Sequence, residues 1–91
     1  MPISLRLTSP LRLLAGGEDT LSLPADTVGE ALEAAVAAHP ALRPALFSAT
    51  GAVRSEIRVY LNDDDVRQHQ DLETPVAEGD QITLVAPLAA G

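Results

Sequence analysis

Ala25-Asp26-Thr27-Val28-Gly29-Glu30-Ala31-Leu32-Glu33-Ala34-Ala35-Val36-Ala37-Ala38-His39-Pro40 is the one stretch of this chain with sustained helical periodicity, and its reading decides the fold. Thr27 is a good N-cap, and Glu30, three residues later, completes a capping box. Val28, Leu32, Ala35 and Val36 recur at helical spacing and form an apolar stripe. Glu30 and Glu33 lie in the first turns, where the helix macrodipole favours negative charge. Pro40 stops the helix, because the residue before a proline avoids the α region. His39 at that end has a structural reading, since a helix C-terminus favours such a side chain.

On the N-terminal side of this helix, Ile3-Ser4-Leu5-Arg6-Leu7 alternates apolar and polar residues, as a strand with one buried face does. Leu11 to Leu14 reads either as an extension of that strand or as a packed loop, and Gly16-Gly17-Glu18-Asp19 supplies turn chemistry. Thr20-Leu21-Ser22-Leu23 alternates again and is expected to pair with the first strand as a hairpin. Beyond the helix, Pro40 to Phe47 reads as a short extra turn with Leu42, Leu46 and Phe47 against the core, and Ser48 to Ala52 as a loop. A strand is expected over Arg54 to Asn62, with Ile57, Val59 and Leu61 on one face. Asn62 to Asp65 is a turn, and Val66-Arg67 a short strand. Glu78-Gly79-Asp80 turns the chain into a last strand, Gln81 to Ala86, with Ile82, Leu84 and Ala86 facing inward. Runs of strands around a single helix predict an α+β fold, a mixed sheet with the main helix packed on one face. The first and last strands are expected side by side in its middle.

Ninety-one residues with 46% hydrophobic side chains suffice for one small core. Only Phe47 and Tyr60 are aromatic, so that core is aliphatic. The absence of cysteine excludes a disulfide scaffold, a thiolate metal site and a cysteine nucleophile. No signal-like or membrane-spanning apolar run occurs, so a cytoplasmic protein with no membrane association is expected. Thirteen acidic residues against six arginines give a formal charge of -7. The arginines are scattered, which disfavours nucleic acid as a partner and points to a protein with a basic docking surface. There is no lysine, so no side-chain amine could accept an isopeptide bond.

Few residues suggest chemistry. His39 and His69 are 30 positions apart and make a poor metal site. Asp63-Asp64-Asp65 lacks the alternate carboxylates, glycine and closing glutamate of a calcium loop. Gly16-Gly17 carries no phosphate-loop lysine, and no serine or threonine lies in a nucleophile-elbow context. What stands out is Pro87-Leu88-Ala89-Ala90-Gly91: from Gln81 onward there is no charged side chain, and a terminal glycine leaves its carboxylate unhindered. The domain is accordingly placed at residues 1–86 and a flexible tail at 87–91.

In this order, three segments resemble the β-grasp, ubiquitin-like sulfur-carrier family, which includes MoaD-, ThiS- and CysO-like carriers. They are Ala25 to Glu30 opening the helix, Arg58 to Arg67 in the third strand and its turn, and Glu78 to Pro87 ahead of the tail. The likeness spans essentially the whole chain and leans towards the CysO-like branch through Leu11 to Gly17. It implies that the chain is not itself an enzyme and binds no cofactor. An E1-like adenylating enzyme would use ATP and magnesium to activate the Gly91 carboxylate, which then becomes a thiocarboxylate. Val85, Pro87, Leu88, Ala89 and Ala90 would provide apolar docking. A sulfur-accepting synthase and a JAMM-type peptidase are further implied partners. The alternatives are a ubiquitin-like modifier joined to lysines of other proteins, or a non-covalent β-grasp interaction domain. Ala90 departs from the family's usual Gly-Gly ending.

Overall fold

The computed structural model describes residues 2–8, 11–54 and 56–86. Strand β1, Pro2–Leu7, buries Ile3, Leu5 and Leu7 and exposes the alternate side. A four-residue helix, α1 (Leu11–Leu14), leads to a turn and to β2, Thr20–Pro24, antiparallel to β1 with Ser4 opposite Ser22. The main helix, α2, runs from Val28 to Ala38, and a short helix, α3, from Leu42 to Leu46. Strand β3 (Arg58–Leu61) pairs with a two-residue strand, β4 (Asp64–Asp65), and 3-10 turns at Val66–Gln68 and Asp71–Glu73 lead back to β5, Gln81–Val85. The sheet order is β2-β1-β5-β3-β4. β5 lies at its centre, parallel to β1 and antiparallel to β3. The expected α+β, β-grasp architecture is the one observed, with the first and last strands adjacent.

Helix α2 packs its apolar stripe on one face of this sheet. Val28, Ala31, Leu32, Ala35 and Val36 are buried, as are Leu5, Leu21, Leu23, Val59, Ile82 and Leu84 opposite. The alternation in each strand therefore assigns one side to the helix and leaves the other side open.

The N-terminus of α2 is fastened more firmly than a simple cap. Thr27 Oγ1 accepts the Glu30 amide at 3.2 Å. The Glu30 carboxylate reaches back one residue further than the usual box, accepting the Asp26 amide at 2.9 Å. The segment at Thr74–Val76 bonds the same turn in both directions: Val28 N donates to the Thr74 carbonyl and Val76 N to that of Asp26, each at 3.0 Å. This close lacing explains Gly29. A Cβ there would stand 3.1 Å from the Leu72 carbonyl oxygen and 3.2 Å from its Cβ, closer than ordinary packing allows.

Three local expectations are corrected. Leu11–Leu14 is neither strand nor loop but one turn of helix, whose Leu11 is buried. The third strand begins at Arg58 rather than Arg54. Arg54 donates its amide to Leu46 and its Nε to the Pro44 carbonyl, and Ile57 closes a turn on the Arg54 carbonyl, so this stretch serves α3 instead of the sheet. Val66-Arg67 is 3-10 helix rather than strand, because Asp65 Oδ1 accepts the Arg67 amide and caps it. Pro40 ends the main helix as expected, with Leu42, Leu46 and Phe47 buried.

Two substitutions test this account. Thr27→Ala removes the cap and is expected to cost about 1 kcal/mol, lowering the thermal midpoint followed by circular dichroism by roughly 4–8 °C. Gly29→Val forces two methyl groups towards the Leu72 backbone and is expected to lower the midpoint further than Thr27→Ala does. A midpoint at or above that of the unsubstituted protein would show that the Asp71–Glu73 turn yields freely.

Candidate functional site at the end of the central strand

The described residues hold little that could act as a self-sufficient catalyst. A cavity of about 290 Å³ lies between the Ala52–Ile57 segment and the Val66–Leu72 turns. Its walls are mainly apolar, and the polar residues lining it are Arg54, Arg67 and Asp71, with no hydroxyl, thiol or imidazole. A shallower depression includes Asp64, His69 and Thr74. There His69 Nε2 stands 3.5 Å from Asp64 Oδ2, but both side chains are largely in solvent. The Thr74 hydroxyl is buried and accepts the Gln70 amide at 3.0 Å, which closes a turn and leaves no activated nucleophile. His39 sits at the end of α2, its amide donating to the Ala35 carbonyl, as the structural reading expects. No group of three metal-ligating side chains occurs among the described residues.

The feature built with most care is the strand that leads to the C-terminal segment. β5 is hydrogen-bonded on both sides, with Leu84 opposite Leu7 in β1 and Val59 in β3. Ile82 and Leu84 are wholly buried, while Gln81, Thr83 and Val85 alternate onto the open face. Asp80 sets where the strand begins: Oδ2 accepts the Ala77 amide at 2.8 Å across a turn in which Gly79 takes φ 92°, a conformation suited to glycine. Asn62, itself at φ 56°, accepts the Gln81 amide through its side chain at 3.2 Å and donates its own amide to the Gln81 carbonyl at 2.7 Å.

At the other end, Thr8 holds the last turns of the strand in place. Its amide and its hydroxyl both donate to the Leu84 carbonyl, at 3.3 and 2.9 Å. Thr8 did not stand out in the sequence, where it follows the first strand and is only one of several threonines. Val85, the first of the expected docking residues, is half-buried opposite Arg58, and Ala86 packs against the core. Pro87, Leu88, Ala89, Ala90 and Gly91 lie outside the described residues. Val85 lies on the open face of β5, with Arg58 opposite it and with Arg6 and Thr8 beside the neighbouring residues of the strand. Leu13, 69% exposed, follows β1 at the same end of the sheet.

No helix among the described residues is long and apolar enough to cross a membrane. With its hydrogen bonds to β1, β3 and Thr8, β5 is held in place up to the last described residues.

Known proteins of this design share both sequence and architecture with the chain. Residues 5–91 match the model of the ThiS family. The sulfur carrier protein CysO of Mycobacterium tuberculosis is 29% identical over 93 residues, covering all of both chains. The crystal structure of small archaeal modifier protein 1 from Haloferax volcanii superposes with a TM-score of 0.89 at 32% identity, again over the full length of both. A chain in the crystal structure of the Amycolatopsis orientalis BexX/CysO complex gives a TM-score of 0.85 at 29% identity, covering 98% of this chain and 99% of its own. With its central C-terminal strand and helix-backed mixed sheet, the chain belongs to the ThiS family of β-grasp, ubiquitin-like sulfur carriers.

Proposed function

We propose that this chain carries sulfur as a thiocarboxylate on Gly91 and that the chemistry is performed by partner enzymes. The observation that carries the reading is the match to the ThiS family over residues 5–91, on a fold whose central strand is the last in the sequence. A carboxylate is a poor electrophile, so it must first gain a leaving group. An oxygen of the Gly91 carboxylate attacks the α-phosphorus of ATP, and pyrophosphate departs to leave an acyl adenylate. Sulfur at the sulfide level then attacks the acyl carbon, AMP leaves, and the thiocarboxylate remains. An E1-like enzyme would supply the ATP site, the magnesium and the catalytic groups, and a synthase would accept the sulfur. A JAMM-type peptidase would act where the Gly91 acyl group has been passed to an amine, hydrolysing the amide so formed and regenerating the Gly91 carboxylate. A cytoplasmic location, where ATP is available, is part of this reading.

The chain's own contribution is positional. β5 fixes residue 86 against the sheet, and the five residues after it can span at most roughly 18 Å when fully extended. That reach suits a narrow partner channel, with Val85, Pro87, Leu88, Ala89 and Ala90 as its apolar contacts.

The similarity to small archaeal modifier protein 1 supports a second use of the same activated carboxyl, attack by a lysine amine of another protein. The absence of lysine from this chain means that such a modifier could not be extended through its own side chains.

Intact mass spectrometry of the protein, after incubation with an E1-like enzyme, Mg-ATP and a sulfur donor, tests the carrier reading. The expected result is exchange of one oxygen for sulfur, localised to Gly91 and abolished by deleting that residue without loss of the thermal transition. Adducts on lysines of other proteins, with no thiocarboxylate, would favour the modifier instead. Ala90→Gly removes a methyl group from the penultimate position and is expected to raise the rate of adenylation, read as pyrophosphate release. An unchanged rate would mean that the partner's channel accommodates that methyl.

A further inference from the structure

The four longer strands contain no acidic residue, although the chain carries thirteen. Their only charged side chains are Arg6 in β1 and Arg58 in β3. Both are exposed, and both lie on the face away from α2, because Leu5, Leu7 and Val59 beside them are buried. The register places them around the exit of the central strand. Arg6 is opposite Thr83 and Arg58 opposite Val85, so the two guanidinium groups flank β5 from its two neighbours. Tyr60, Thr83 and Ser4 fill the rest of this area with uncharged polar groups. Among the described residues, neither Arg6 nor Arg58 joins an ion pair, whereas Arg43 and Arg67 do.

Most acidic side chains lie elsewhere; the exceptions at this end are Glu18 and Asp19, which precede β2 beside Arg6, and Glu56, two residues before Arg58. Asp63, Asp64 and Asp80 lie at the opposite end of the sheet, where Asn62 meets the start of β5. Asp26 and Glu30 are at the start of α2 on that same end, beside Thr74–Val76. Asp65 reaches the open face only at its edge and is engaged with Arg67. A protein of charge -7 therefore offers a locally positive sheet face beside the segment to be delivered. This position redirects the expectation of a basic docking surface. A basic partner would find its attraction at the wrong end, while a carboxylate-bearing surface is drawn to the right one and repelled from the other.

We propose that the open sheet face bounded by Arg6 and Arg58, with Val85 between them, is a docking surface for an acidic rim on the partner that receives the C-terminal segment. The partner chemistry is a small apolar contact over Val85 flanked by carboxylates that meet the two arginines. The identity of that partner as an adenylating enzyme rests on the carrier reading; the charge of its surface follows from the register of the strands. The face and the negative far end together orient the molecule before contact, so their influence lies chiefly in the association rate.

The test compares two double variants of equal net charge in the full chain. Arg6→Glu with Arg58→Glu reverses the face, and Arg43→Glu with Arg67→Glu reverses two exposed arginines away from it. Association with the E1-like enzyme of the same organism is followed by stopped-flow fluorescence at low and high salt, with circular dichroism confirming that each variant is folded. The face variant is expected to associate about tenfold more slowly at low salt, a difference that shrinks as salt is raised, while the other stays within about twofold of the unsubstituted protein. Equal effects of the two variants, or none, would overturn the proposal, because net charge alone would then explain the kinetics. Pyrophosphate release is measured in parallel. Salt-sensitive, arginine-dependent association without adenylation would keep the docking face and reject the carrier reading. Adenylation with no arginine dependence would do the reverse, and no association of the unsubstituted protein would overturn the docking face.

Discussion

Parallel pairing between β1 and β5 is the constraint on which the rest of the molecule depends. It joins residues from opposite ends of the chain, Ser4 with Gln81 and Leu7 with Leu84, and so closes a loop of most of the sequence at a corresponding entropic cost. Once formed, it supplies a continuous apolar floor from Ile3, Leu5, Leu7, Ile82 and Leu84. Helix α2 packs on β2 and β1 and on the Asp71–Glu73 turn, and its stripe joins the same buried cluster as Val59, Ile82 and Leu84. The two amide and hydroxyl bonds from Thr8 to Leu84 extend this pairing beyond the last residue of β1. They make the end of β5 a fixed point from which the chain continues.

How much of this was legible in the sequence depended on whether a residue's role was local. The α2 capping box, the alternation of β1, β2 and β5 and the Gly79 turn are signals carried within a few residues, and each formed where the pattern placed it. Arg54 to Glu56 are polar and carry no alternation of their own, and Arg54 instead bonds the carbonyls of Pro44 and Leu46 at the end of α3. Leu11–Leu14 was ambiguous because four residues cannot display a helical period, and the burial of Leu11 and Ala15 is set by the core around them. Of the candidate site, Val85 was placed by strand alternation. The roles of Thr8, Arg6 and Arg58 appear only when β1, β3 and β5 are set in register, which no single segment specifies.

The division of charge follows from the same register. Acidic residues keep a small protein soluble, but a carboxylate in the middle of a sheet is disfavoured by strand propensity and by desolvation when a partner covers it. In this chain the carboxylates lie in turns, on the exposed side of α2 and on the two-residue edge strand β4. Arginine is better suited to the sheet face. Its long stem packs over neighbouring side chains and its guanidinium is weakly hydrated, so covering it costs less than covering a carboxylate or an ammonium. An open sheet face can therefore carry Arg6 and Arg58 in the free protein and still be covered at modest cost.

Ala90 bears on how the final residues are handled. In the proposed transfer, attack on the carboxyl carbon of Gly91 would meet no side-chain bulk, because glycine has no Cβ. A methyl at position 90 is one peptide unit further from the reacting carbon, where it acts on the channel wall rather than on the chemistry. It also restricts the backbone at that position chiefly to negative φ, which favours an extended approach and reduces the conformational entropy lost on entry. An alanine there thus trades width for preorganisation. On the proposed carrier reading, a channel shaped for two glycines would feel the added width more than the preorganisation, which is why removing the methyl is expected to speed adenylation.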